Sequence, residues 1–155
     1  MRTRLTPATG LLWFSTALVV VACAGIRAQA ADMKFQASLV WGTDDSKPPV
    51  GKAYKPVDAQ ISQKLKDLPL KWAHWFQVNR VDFAVPPGAT KEVLISEKCQ
   101  LIVKRLAGSE LEVSLVGKGK EVVKRKQSLP KEEMLVLGGN APNSTAWLVV
   151  LKRLE

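Results

Sequence analysis

The chain has 155 residues, a formal net charge of +9 at neutral pH and a single histidine. One histidine excludes a metal centre built from several imidazole ligands. No glycine-rich stretch has the form of a phosphate-binding loop, and we expect neither a metal nor a cofactor.

The N-terminal region has the pattern of an export signal. Arg2 and Arg4 precede an apolar run over residues 11–22, and residues 28–30 (Ala-Gln-Ala) have the small-x-small pattern that signal peptidase cleaves. The run is shorter than the about 20 residues that span a bilayer, so we expect no permanent transmembrane segment. The sequence predicts that residues 1–30 are removed and that the protein is periplasmic or secreted.

A second processing route is open within the same signal. Residues 20–23 (Val-Val-Ala-Cys) fit a loose bacterial lipobox, in which Cys23 is lipidated and becomes the N-terminus. The two cleavage sites exclude each other, and cleavage after Ala30 is favoured because it lies the usual distance beyond the apolar core. A lipoprotein anchored through Cys23 is the alternative.

The remaining residues, 31–155, fit a single domain with one core. Removal of the signal takes away three arginines and no acids, so the charge falls from +9 by 3 to +6. Positive charge on an exported protein favours an anionic envelope partner over nucleic acid. The alternative is that the lysines serve solubility, since they are interspersed with acids.

Apolar residues alternate with a period of two along most of residues 31–155. A first strand is predicted where four of them share one face, at Phe35, Ala37, Leu39 and Trp41. Further strands are predicted over residues 72–78, 81–85, 91–96, 99–106, 110–116, 120–127, 134–137 and 146–154. Residues 72–78 also fit a helical turn, but a strand is favoured. We expect roughly eight strands.

One short helix interrupts this pattern. Asp58 can cap its start, Ile61, Leu65 and Leu68 form an apolar stripe, and Pro69 stops it. The connections between strands are too short for parallel crossovers. The predicted fold is mainly β, a small antiparallel β-sandwich or partly closed barrel, with the helix packed across one open end or edge.

Three of the predicted strand segments differ in the polarity of their two faces. Residues 101–103 and 147–151 are apolar on both faces, which predicts central strands covered on both sides. Residues 120–126 carry charge along their length, which predicts an edge strand that its lysines protect against unwanted pairing.

Few residues offer chemistry. Cys99 is the only cysteine left after removal of the signal, and it shares a strand face with Leu101 and Val103, which favours a buried, unreactive thiol. His74 lies between two tryptophans in a hydrophobic segment, which favours packing over catalysis. We predict no catalytic residue and therefore a non-enzymatic protein.

The candidate interaction surface combines one tryptophan with a basic group. The basic group contains Lys118, Lys120, Lys124, Arg125 and Lys126. Lys120, Lys124 and Lys126 are predicted to share one strand face as a cationic stripe, unless they serve only to protect an edge. Trp75 is the tryptophan predicted to be exposed, because the other three of residues 31–155 share faces with apolar neighbours.

Two functions follow from this surface. The first is an exported, non-enzymatic module that contacts another envelope protein. The second is a binding domain for an anionic glycan or lipid headgroup that uses Trp75 and the cationic stripe.

Overall fold

The computed structural model describes residues 30–141 and 143–155. The predicted signal peptide and the lipidation site at Cys23 lie outside these residues. Within them the elements are β1 (Met33–Thr43), β2 (Lys55–Pro56), α1 (Ala59–Lys66), β3 (His74–Val85), β4 (Thr90–Ser96), β5 (Cys99–Arg105), β6 (Glu110–Gly117), β7 (Lys120–Ser128), β8 (Met134–Asn140) and β9 (Ala146–Arg153).

The strands form two antiparallel sheets that face each other as a β-sandwich. One sheet has the order β2-β3-β1-β9-β8 and the other β4-β5-β6-β7, and over the described residues neither closes into a barrel. Alternate residues of both sheets, such as Phe35, Leu101 and Val149, form a shared core between them. The prediction of a small sandwich with one helix is confirmed.

The helix begins where the sequence indicates. The Oδ1 atom of Asp58 accepts a hydrogen bond from the backbone N–H of Ile61 at 2.8 Å, which satisfies one free donor of the first turn. Ile61 and Leu65 are buried. They pack against the outer face of the five-stranded sheet, on Val40, Leu148 and Val150. The predicted position across an end or edge is wrong, because the outward residues of β1 and β9 are also apolar and require cover.

The segments predicted as two strands over residues 72–78 and 81–85 form one long strand, β3. The register of β1 against β3 shifts between Leu39 and Val40, which leaves an extra residue in β3 at Val78. This bulge reverses the alternation along β3 and produces the apparent break in the sequence pattern. Residues 72 and 73 precede the strand.

The outer faces of the two sheets differ in how far they are buried. β9 is central and packs on both sides, as predicted. β5 is central in its own sheet, but Ile102 on its outer face is only half-buried. The helix does not cover this face, because the apolar cluster beneath the helix contains no residue of the four-stranded sheet. The prediction that β5 is covered on both faces is therefore wrong. β7 lies at a sheet edge, as predicted.

Candidate functional site

The basic group divides between paired and unpaired lysines. On the outer face of the four-stranded sheet, the Nζ atom of Lys124 lies 2.9 Å from a carboxylate oxygen of Glu112, and that of Lys126 lies 3.6 Å from Glu110. The hydrogen bond from Lys124 lowers the pKa of Glu112, and Glu112 in turn raises the pKa of Lys124. These lysines are partly neutralised by their own sheet.

A bulge separates Lys120 from this face. The register of β6 against β7 shifts between Leu115 and Val116, which leaves Val122 as an extra residue of β7. The alternation reverses across the bulge, so Lys120 and Lys124 lie on opposite faces. The prediction that Lys120 belongs to one stripe with Lys124 and Lys126 is wrong.

The last two members of the basic group are also apart from each other. Arg125 pairs with Val113 on β6 and is exposed. Lys118 occupies the two-residue turn between β6 and β7. The five basic residues therefore form no continuous cationic surface.

Trp75 lies on the other sheet, on the side where the helix packs. It is half-buried, meets Trp72 edge-on with ring centroids 5.9 Å apart, and covers Gly42 so closely that a Cβ there would overlap the indole. Trp72 donates from Nε1 to the carbonyl of Ser144 at 2.8 Å. The structure does not bring Trp75 together with the basic group.

The most exposed of the described tryptophans is Trp147, at 39 %. It pairs with Trp41 and Gly139, and it shares the inward face of β9 with Val149. Val149 is only 1 % exposed, so the four-stranded sheet covers Val149 but does not fully cover Trp147. The predictions that Trp147 lies in the core and that Trp75 is the exposed tryptophan are therefore wrong, because a shared apolar face does not show where the opposing sheet ends.

This end of the sandwich contains a pocket of about 590 Å³, which we call the open-end pocket. Its apolar wall consists of Leu39, Cys99, Leu115, Val122, Trp147 and Val149. The rest of its lining is Ser96, Lys98, Gly117, Lys118, Gly138 and Gly139. The volume falls within the range of about 300–1,000 Å³ that is typical of small-molecule sites.

Glycines help to form this pocket. Gly138 has a φ of 130°, and a Cβ there would overlap the carbonyl oxygen of Trp147, so only glycine fits. Gly139 faces open space. Because Gly139 lies opposite Trp147 in the β8–β9 pair, it leaves one side of the indole uncovered.

Cys99 is half-buried in the pocket wall and packs against the shared core. Burial raises the pKa of its thiol, because the charged thiolate would lose hydration. Cys99 is therefore a neutral, weakly nucleophilic part of the wall. The prediction of a buried thiol is wrong in extent, because Cys99 is the first residue of β5 and lies where the core meets the pocket.

Two lysines stand in the pocket lining beside this apolar wall. Lys98 lies in the turn between β4 and β5, and Lys118 in the turn between β6 and β7. The backbone N–H of Lys118 donates to the carbonyl of Lys98 at 2.9 Å, which holds the two turns together. The described lining contains no acidic residue. Of the residues in this pocket, the sequence predicted only Lys118 as a candidate. It did not indicate Lys98 or Trp147.

His74 and the acidic residues that the structure describes do not form a second candidate site. His74 begins β3, where it pairs with Thr43 of β1. Among the residues that the structure describes, no group of three or more histidine, cysteine, aspartate or glutamate side chains is placed to hold a metal. The arrangement of the open-end pocket is suited to binding an apolar group beside positive charge.

No family model, curated protein or solved structure matched this chain. In the described part of the chain, no helix is long and apolar enough to cross a membrane.

Proposed function

We propose that this protein is an exported, non-enzymatic binding module that takes the single apolar chain of a small amphipathic molecule into the open-end pocket. The observation that carries the proposal is an apolar pocket of about 590 Å³ with a partly exposed tryptophan in its wall. A concave, mostly apolar site of this size is the common form of a small-molecule site.

The pocket supports this function better than the outer surfaces do. The outer face of the four-stranded sheet bears paired charges, and its edge strand β7 is rich in lysine, a combination that protects an edge. Contact with another envelope protein therefore rests on the sequence hypothesis alone. Crosslinking in intact source cells tests it, and the N-terminal peptide of the recovered protein distinguishes cleavage after Ala30 from lipidation at Cys23.

Binding to the pocket is tested with two ten-carbon probes, decanoate and 1-decanol, kept below their aggregation limits. We expect saturable quenching or enhancement of tryptophan fluorescence, since Trp147 is in the wall. We also expect slower alkylation of Cys99 by iodoacetamide when the pocket is occupied, with the modified peptide identified by mass spectrometry.

Gly139→Val is the variant that narrows the pocket beside Trp147. A Cβ at this position meets no atom within 4 Å and faces Trp147, so the valine side chain occupies the space that the apolar chain of a ligand would take against the indole. Leu94→Ala is the control, because Leu94 is 70 % exposed and does not line the pocket. Loss of binding in the first variant and retention in the second would support the proposal. If neither probe binds, or if binding is insensitive to Gly139→Val, the proposal fails.

A further inference from the structure

We infer that the ligand of the open-end pocket carries an anionic head group, a carboxylate being the simplest, which Lys98 and Lys118 bind while its apolar chain lies against Trp147 and Val122. This inference rests on the function proposed above and names the chemical class of the ligand. It replaces the predicted combination of Trp75 and the lysine stripe with residues that the fold brings together.

The charges around the pocket support an anion. Neither Lys98 nor Lys118 forms a salt bridge within the described residues, although Glu97 and Glu121 are near them in sequence. Lys124, by contrast, is satisfied by Glu112. The backbone hydrogen bond between the two turns brings two lysines without an acidic partner among the described residues to one side of the pocket, where an anionic group would be attracted to both. A cationic head group would be repelled by both.

The backbone conformation at Lys118 is consistent with a role for this lysine, although Glu132 and Ser144 also have a positive φ. Lys118 has a φ of 51° and Gly119 a φ of 75°, the conformation of a type I′ turn. Asparagine or glycine is preferred at the first of these positions, and lysine is disfavoured there. A residue held in a disfavoured conformation is often kept for function. Here the conformation places a lysine in the lining of the pocket.

The dimensions favour a free, monomeric molecule over a lipid that remains in a bilayer. The pocket is bounded by both sheets, with Leu39 on one side and Leu115 on the other. Membrane docking instead uses a broad apolar face with several basic residues around it. Lys124 and Lys126, which would belong to such a face, are paired with acids.

The test compares three probes with the same ten-carbon chain: decanoate, 1-decanol and decylammonium. We expect decanoate to bind about tenfold more tightly than decanol, as one charge-assisted hydrogen bond provides. We expect decylammonium to bind most weakly. The preference for decanoate should fall as salt is added, because the lysines are exposed.

Lys118→Asn and Lys98→Gln locate the head group. Asparagine suits the turn at residue 118, so the first variant should fold at least as stably as the wild type. Each variant should weaken decanoate binding about threefold, so that the two together remove the preference of about tenfold, and each should leave decanol binding unchanged. Lys124→Gln is the matched control, since this lysine lies on the outer face, and it should change neither affinity.

The outcomes separate this inference from the proposed function. If decanol binds as tightly as decanoate, and both lose affinity in Gly139→Val, the pocket binds apolar chains and the anionic class is wrong. If no probe binds but the protein binds phosphatidylglycerol vesicles, the free-ligand inference and the pocket proposal are both overturned. A loss of decanoate binding in Lys124→Gln equal to that in Lys118→Asn would assign the preference to overall charge and contradict the site.

Discussion

The two ends of the sandwich are built differently. At one end Leu129, in the connection between β7 and β8, is only 2 % exposed and belongs to the shared core. Its carbonyl accepts a hydrogen bond from Arg153 at 3.1 Å. At the other end Trp147 and Val122 are exposed at 39 % and 60 %. One end is closed by its own chain, and the other retains a pocket.

Arg105 completes the closed end. It lies at the last position of β5, is 9 % exposed, and donates through Nη1 to the carbonyls of Ala31 and Val85 at 2.7 and 3.3 Å. Cys99, at the first position of the same strand, lines the pocket. The last residue of β5, Arg105, therefore stabilises the fold through hydrogen bonds, whereas the first, Cys99, is available to a ligand.

The largest expected loss of stability is at the closed end. Leu129→Ala removes a buried side chain and leaves a cavity, so we expect the free energy of unfolding to fall by about 2–5 kcal/mol. Val122→Ala at the open end is the comparison, and it should cost much less because Val122 is 60 % exposed. Urea unfolding measures both. Equal losses would show that the two ends do not differ in packing.

A smaller loss is expected for Arg105→Met. The substitution keeps much of the side-chain length but leaves the carbonyls of Ala31 and Val85 without this donor, at a cost of about 1–3 kcal/mol. Arg125→Met is the control, because Arg125 is exposed, and its effect should stay within about 0.5 kcal/mol. Urea unfolding of the two variants tests this ranking, and a neutral Arg105→Met would contradict it.

Two neighbouring glycines at the open end should respond in opposite ways. Gly138→Ala forces a side chain into a backbone conformation that favours glycine and onto the carbonyl of Trp147, so we expect a loss of about 1–3 kcal/mol. Gly139→Ala meets open space and relieves the entropic cost of glycine in a strand, so stability should be unchanged or rise by about 0.5–1 kcal/mol. Thermal unfolding of the pair measures the difference, and similar melting temperatures would contradict the geometry.

The smallest effect is expected on the outer face, away from both ends. The pKa of Glu112 is lowered in the folded protein by Lys124, so the pair contributes to stability above the ordinary carboxyl pKa and loses that contribution as the pH falls through the lowered value. Lys124 is exposed and Glu112 is only half-buried, so solvent screens the pair, and Glu112→Gln should cost little at neutral pH and nothing in acid. The urea unfolding midpoints of the wild type and of Glu112→Gln, measured at neutral and at acidic pH, check this. A loss of stability that is larger in acid than at neutral pH would contradict the prediction.

Much of the fold could be predicted from local patterns. Period-two alternation located most strands, Asp58 and Pro69 marked the helix, and the charged β7 indicated a sheet edge. These features depend on neighbours a few residues apart. The sequence does not predict the bulges at Val78 and Val122, because a one-residue insertion reverses every side chain beyond it, and the resulting change of pattern cannot be told from a gap between two strands or from a change of exposed face.

The candidate site was predictable only in part. Lys118 was selected as one member of a charged run, whereas its partner in the structure, Lys98, lies 20 positions earlier in the chain. Trp147 is expected in the core because it shares a face with apolar residues, but it is 39 % exposed, since the opposite sheet ends before it. Trp75 was selected for exposure, yet it packs against Trp72 and covers Gly42.

The sequence by itself determined the strand content, the helix and its cap, and the lysine-rich edge, because hydrophobic periodicity and capping act over a few residues. Only the tertiary structure decided that the helix covers one outer face, that Leu129 and Arg105 close one end, and that the other end holds a pocket. Those features depend on how far each sheet extends over the other and on which distant turns meet. Sheet pairing sets both across the whole chain, and no local pattern encodes them.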